Sequence, residues 1–178
     1  MKFVLSLLTF AVSGVLTLSA ADISNFSTAK RWSAAECTVT QNGNGMTVNM
    51  PIDHKAGEKN YPIGWPRLYL YKLTPAEKDW SKAKAISFKF HLEFTGTSTA
   101  TPINFQIRTK GPQDKKAAGF FFELKEAVNK KTVTITLPLD KVKNLNNVVY
   151  HGFFISESKY KHGENLKFTV SDFKLINK

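Results

Sequence analysis

The sequence predicts an all-β protein built as an antiparallel two-sheet β-sandwich. Three observations lead there: apolar and polar residues alternate at period two, turn residues recur between the alternating runs, and helical periodicity is scant. The cleanest run sets Ile86, Phe88, Phe90, Leu92 and Phe94 against Ser87, Lys89, His91 and Glu93. Successive side chains of a strand point to opposite faces, so one face of this segment is buried and the other is wet.

The same alternation gives Ile103, Phe105 and Ile107 against Asn104, Gln106 and Arg108. It returns in Val133, Ile135 and Leu137 between threonines, and in Leu166, Phe168 and Val170. Gln41-Asn42-Gly43-Asn44-Gly45, between Thr38–Thr40 and Met46–Met50, predicts a hairpin, because Asn and Gly accept the positive φ of tight turns. Further strands are expected at Arg67–Tyr71, Gly119–Leu124 and Val148–Ser156. Near the end the apolar set shifts parity from Val170 to Phe173 and Leu175, which requires a bulge at Ser171-Asp172. Thr74-Pro75-Ala76-Glu77 has capping-box form and predicts one short helical turn before Trp80. Eight or nine short strands separated by regular turn signals indicate a jelly roll.

A secretory leader is expected over 1–21: Met1-Lys2, an uncharged apolar run, then Ser19-Ala20-Ala21 before Asp22. Cleavage after Ala20 or Ala21 leaves residues 22–178, with no internal repeat or linker, as one β-sandwich domain. An uncleaved anchor is the competing reading, because the apolar run could just span a bilayer; stable insertion is not expected after cleavage. Cys37 is the only cysteine, so an internal disulfide is impossible and stability rests on packing; export without disulfides fits a bacterial source. Asn25-Phe26-Ser27 matches the glycosylation acceptor pattern, as chance alone would allow.

The formal net charge is +11, nearly all of the excess lysine, with only Arg31, Arg67 and Arg108 carrying guanidinium. Nucleic-acid readers cluster arginine, so nucleic acid is not the expected partner. A basic surface favours acidic glycans or anionic cell surfaces through a salt-screened field.

Several segments resemble the galactose-binding-like jelly rolls of carbohydrate-binding modules found with bacterial polysaccharide-degrading enzymes. They are Phe26 with Trp32, Gly45-Met46-Thr47-Val48, Trp65-Pro66-Arg67-Leu68-Tyr69-Leu70, Asp79-Trp80-Ser81 leading into the strand at Ile86, Val133–Leu139, and Phe168–Leu175. The resemblance is one of core spacing and implies the fold more than the ligand. It also implies a structural calcium held by acidic residues near the first and last strands. Asp172 matches the late position, whereas the early segment offers only Asp22 and Glu36.

Glycan recognition in such a fold needs aromatic planes for the C–H faces of sugars and planar polar groups to orient hydroxyls; an arginine fork suits a carboxylate or sulfate. Arg67, Tyr69 and Tyr71 share the outward parity of one strand, Gln106 and Arg108 that of another, and Lys89 and His91 that of a third. If these strands share a sheet, the sets form one groove, with Trp65, His91 and Tyr150 as secondary members. Equally, these rings could be half-buried with wet polar ends, and Arg67 could cover an apolar edge.

The leading functional expectation is a secreted, periplasmic or cell-surface protein, non-catalytic, that binds a glycan or polysaccharide, acidic in the finer reading. Its rival is an adhesive surface protein that contacts another protein. The loop Tyr160-Lys161-His162-Gly163-Glu164 superficially resembles a Tyr/His loop of jelly-roll polysaccharide lyases, so a small lyase is the enzyme alternative. The acidic residues suggest no opposed pair for hydrolysis, and His54, His91, His151 and His162 show no metal-ligand spacing. Cys37 beside Glu36 lacks a basic neighbour and reads as a small semi-buried side chain. No nucleotide fingerprint or phosphate-cradling loop is present.

Overall fold

A computed structural model describes residues 22–55, 64–98 and 103–178. The expected leader over 1–21 lies outside them. Among the described residues the strands are β1 (Ser33–Ala35), β2 (Thr38–Asn42), β3 (Gly45–Pro51), β4 (Arg67–Leu70) and β5 (Ala83–Thr95). They continue with β6 (Asn104–Thr109), β7 (Ala118–Glu123), β8 (Thr132–Pro138), β9 (Val148–Phe154) and β10 (Asn165–Asn177). One helical turn, α1 (Pro75–Lys78), carries the expected capping box, with Thr74 and Glu77 bonding each other's backbone.

The strands form two five-stranded sheets in the orders β1-β4-β9-β6-β7 and β2-β3-β10-β5-β8. Neighbouring strands pair antiparallel throughout. The hairpin between β2 and β3 closes on the pair Asn42 and Gly45, with Gly43 at φ +54 in the loop, as the Asn/Gly run requires. In β10 the register against β5 shifts between Ser171 and Lys174, and Asp172 adopts φ +55. This is the bulge that the parity change demands, and it turns Phe173 into the core, 2% exposed.

Two expectations are corrected. The three-residue β1 falls outside the eight or nine strands anticipated, because Ser33-Ala34-Ala35 is too short and too small to show alternation. Ser87, expected to face water, is buried, and its hydroxyl accepts from Thr136 Oγ on the neighbouring β8 at 3.3 Å.

The core lies between the sheets and is dominated by phenylalanine. Phe105 and Phe153 of the first sheet meet Phe88, Phe90 and Phe168 of the second at centroid separations of 5.5 Å (Phe88 to Phe105), 5.7 Å (Phe88 to Phe153), 6.3 Å (Phe90 to Phe153) and 5.5 Å (Phe153 to Phe168). All five are at most 1% exposed, so burial of each ring contributes roughly 1.5–3 kcal/mol. The segment before β1 closes one end of this core with Phe26 and Trp32, whose indole N–H donates to the Phe26 carbonyl at 2.8 Å. It is fixed by Arg31, which donates to both Glu77 carboxylate oxygens at 2.8 and 2.9 Å. Asn25 Nδ2 and the Thr74 N–H also donate to that carboxylate. The Arg31 hydrogen bonds outweigh the opposing effect of burial and hold the Glu77 pKa at about 2.

Candidate functional site

The outward face of the first sheet collects most of the residues that alternation singles out. The register sets Arg67 beside Phe154 and Phe154 beside Asn104, and Asn104 beside Glu123. The next row runs from Tyr69 through Gly152 and Gln106 to Phe121. In the third, Tyr150 pairs with Arg108, and Arg108 with Gly119. Tyr71, one step beyond β4, completes that row by ring contact with Tyr150 at 5.0 Å.

β9 separates β4 from β6, so the two sets of candidates are joined through Tyr150, Gly152 and Phe154. Tyr69, Tyr71 and Tyr150 form one ring cluster, with centroids 5.0 to 5.6 Å apart. At the other end Trp65 stacks on Phe154 at 6.1 Å and 28°, and Phe121 meets Phe154 edge-on at 5.8 Å. Among the described residues, four large hydrophobic side chains stay exposed, and three of them, Trp65 (51%), Tyr71 (49%) and Phe121 (60%), lie on this face. Apolar exposure concentrated in one place marks an interaction surface.

Two glycines let the rings lie down. A Cβ at Gly152 would run into the Leu68 carbonyl and the Tyr69 ring, so only glycine admits Tyr69 across β9. A Cβ at Gly119 would press on Gln106 Nε2 at 3.1 Å and the Phe121 ring at 3.2 Å. The polar groups are placed among these planes. The Arg108 guanidinium lies 5.6 Å from the Tyr150 ring centroid, and its Nε is buried without a hydrogen-bond partner among the described residues. Gln106 is 3% exposed at the floor, and Arg67 donates to the Trp65 carbonyl at 3.2 Å. Burial raises the pKa of Tyr69 and of Tyr150, so both phenols keep their protons at neutral pH and can donate.

Arg67, Tyr69, Tyr71, Gln106, Arg108, Trp65 and Tyr150 therefore share one face. His91 does not. It lies on β5 in the other sheet, facing outward beside Thr132, to whose hydroxyl its Nδ1 is hydrogen-bonded at 2.9 Å. Period two assigns a side chain to a face but not a strand to a sheet. Phe121, Phe154, Glu123 and the two glycines escape sequence reasoning, since runs such as Phe120-Phe121-Phe122 and Phe153-Phe154 hide parity. The lone Gly152 within an apolar strand is the signal that could have found the centre of the face.

The lyase loop is not assembled with the arginine. Tyr160 is 4% exposed with its ring against Phe94 of the second sheet at 5.9 Å, whereas Arg108 pairs with Tyr150 in the first sheet. Burial raises the Tyr160 pKa, which opposes service as a base. Cys37 is half-buried, donates to the Arg67 carbonyl at 3.3 Å, and has its thiol pushed up to about 11 by burial, an inert side chain as expected.

The acidic residues named for the implied calcium each have another partner. Asp22 and Asp172 do line one recess of about 750 Å³ beside the β2–β3 turn. Asp172, however, is held by Lys89 at 2.8 Å, Asp22 accepts from the Ser24 N–H, and Glu36 is engaged by the Trp65 N–H. Among the described residues no group of three or more acidic, histidine or cysteine side chains converges as a metal shell would.

No protein-family model matches the chain, and no curated protein matches it by sequence. Solved structures do match its fold. The chain is similar to the family 11 carbohydrate-binding module of a cellulosomal cellulase of Clostridium thermocellum: 17% identity, TM-score 0.54, covering 88% of this chain and 93% of that one. A second structure of a family 11 module from Clostridium thermocellum, in complex with a β-1,3-1,4-mixed-linked tetrasaccharide, gives 19% identity and TM-score 0.52 over 86% and 92% of the two chains. An agarase gives 9% identity and TM-score 0.56, covering 90% of this chain but 24% of the agarase. The chain thus has the jelly-roll sandwich fold of carbohydrate-binding modules, as its core spacing implied.

Proposed function

We propose that this chain is an exported, non-catalytic, carbohydrate-binding module-like protein that holds an acidic glycan on the outward face of the first sheet. The observation that carries the reading is the concentration of exposed aromatic rings around a buried, unpartnered Arg108 Nε. The rings supply planes for sugar C–H faces, and stacking removes apolar surface from water on both sides. Arg108, oriented over Tyr150, supplies N–H donors for a carboxylate or sulfate oxygen, a charge-assisted bond stronger than a neutral one. From Tyr150 to Phe154 the face runs about 13 Å along the strand, room for an oligosaccharide and not merely one sugar. The similarity of fold to a module solved with a tetrasaccharide supports a glycan over a protein partner. Export rests on the leader composition of residues 1–21; no helix among the described residues is long and apolar enough to cross a membrane.

A glycan array followed by titration calorimetry tests this. Wild-type protein is expected to retain uronate- or sulfate-bearing glycans. Tyr69→Ala and Arg108→Ala, each folded by circular dichroism, are expected to weaken that binding at least about tenfold, the loss of one ring or one charged donor. A blank array together with a persistent protein ligand would instead favour an adhesive role.

A further inference from the structure

The positive charge of this protein is not spread evenly over the sandwich. Segments 78–84, 110–116 and 139–147 meet at the end of the sandwich where β9 begins. Trp80 N–H donates to the Leu145 carbonyl at 2.7 Å, Leu139 N–H to the Lys84 carbonyl at 2.9 Å, and Lys110 N–H to the Asn147 carbonyl at 3.1 Å. Asn144 Nδ2 reaches Asp114 at 3.3 Å. Together these segments hold eight lysines and three aspartates. Seven of the lysines are exposed and Lys78 is half-buried. Among the described residues, the lysines that form ion pairs are others, Lys89 with Asp172 and Lys167 with Glu93. At the opposite end, segments 123–131 and 155–164 carry five lysines against four glutamates, near balance.

This basic end adjoins the aromatic face. Lys110 lies two residues past Arg108, and Asn147, which also donates to the Lys110 carbonyl at 2.9 Å, lies three before Tyr150. The two surfaces are therefore continuous across the Arg108 end. We infer that this lysine pole is a second anion-binding surface, continuous with the aromatic face, which takes the onward run of a linear polysaccharide bearing carboxylate or sulfate groups.

The inference rests on the glycan reading of the face and adds a direction to it. A short oligosaccharide is held by rings and Arg108 alone, whereas a long polyanion leaves the face over Arg108 and continues along the lysines. The ammonium groups are flexible, hydrated point charges that follow a repeating anion without fixed geometry. Their summed field acts over about a Debye length, about 10 Å at 0.1 M salt, so affinity for the long chain falls steeply with ionic strength.

The test compares the full chain with a variant carrying Lys115→Gln, Lys116→Gln, Lys141→Gln and Lys143→Gln, all at exposed positions. Probes are long polygalacturonate, trigalacturonate, dextran sulfate, neutral mixed-linkage β-glucan, phosphatidylglycerol vesicles and duplex DNA, at low and high salt. The variant is expected to lose about tenfold or more in affinity for long polygalacturonate or dextran sulfate, and most of the salt dependence, with trigalacturonate changed less than about twofold. Polygalacturonate and dextran sulfate separate carboxylate from sulfate preference. Unchanged long-chain affinity, or equal loss for long and short chains, overturns the inference, as does tighter binding of vesicles or DNA than of either polyanionic glycan. Binding of the neutral glucan equal to that of the charged chains leaves carbohydrate binding by the face standing but removes its preference for acidic glycans and, with it, this inference. Retention of no carbohydrate at all removes both.

Discussion

On β9 the side chains of Tyr150 and Gly152 serve the outward face, while His151 between them points into the core. Its ring is fully buried among Phe26, Trp32, Trp80 and Phe105, with centroids 4.6 to 5.7 Å away, and neither nitrogen has a hydrogen-bond partner among the described residues. Burial, assisted by the Arg31 charge and opposed by Glu77, pushes its pKa down to about 3. The unfolded chain takes up this proton at an ordinary pKa, so its stabilising contribution is complete above about pH 6.5 and is lost as pH falls toward 3. Between pH 7 and 4.5 the loss amounts to about 2–3 kcal/mol. Urea melts of wild type across that window are expected to show this slope, and His151→Leu is expected to flatten it. An equal slope in the variant would show that other groups govern acid stability. Period two puts His151 on the same side of the strand as Phe153, but the apolar run Phe153-Phe154-Ile155 hides which side is inward. Nor could it show that four aromatic rings from three parts of the chain would enclose it and leave no polar partner among the described residues.

At the scale of elements, the segment leading into β4 depends on two carboxylates that bind backbone. Glu36, at φ +56 in the corner between β1 and β2, accepts the Trp65 N–H at 2.6 Å. Glu157, 1% exposed, accepts the Gly64 N–H at 2.7 Å and the Asp53 N–H at 3.1 Å. A Cβ at Gly64 would run into both carboxylates, so glycine is required where they converge. Successive amides fixed by two anions set where the indole of Trp65 stands on Phe154. Glu36→Ala is expected to cost about 2 kcal/mol, the loss of one charge-assisted hydrogen bond. It is also expected to raise acrylamide quenching of tryptophan emission, because Trp32 and Trp80 are buried and Trp65 alone is open. Unaltered quenching in a destabilised variant would mean that Phe154, and not the amide clamp, positions the ring. Sequence reasoning found Trp65 but considered Glu36 only as an acidic residue near the first strand. A carboxylate that bonds a distant amide leaves no periodic trace, whereas the Thr74–Glu77 capping box, being local, was legible in full.

For the whole molecule, period-two alternation carried the fold because each strand's buried face is a property of that strand alone. The pairing of strands is not. β4, β9 and β6 became neighbours through contacts between segments far apart in sequence, and the same spacing that placed Gln106 and Arg108 beside the tyrosines would have admitted His91 had β5 joined that sheet. Which sheet a strand enters is decided by how the aromatic interior packs. Phe153 sits where that packing converges: its ring meets Phe105 within its own sheet at 4.9 Å and Phe88, Phe90 and Phe168 of the other at 5.5 to 6.3 Å. A core shared so completely couples the sheets, so residues 22–178 are expected to unfold in a single transition, coincident by far-ultraviolet circular dichroism and tryptophan fluorescence. Phe153→Ala is expected to cost about 3–5 kcal/mol and lower the denaturant midpoint without changing the slope. Two separated transitions, or a variant in which only one probe shifts, would mean that each sheet holds its own structure and that the aromatic interior does not bind them together.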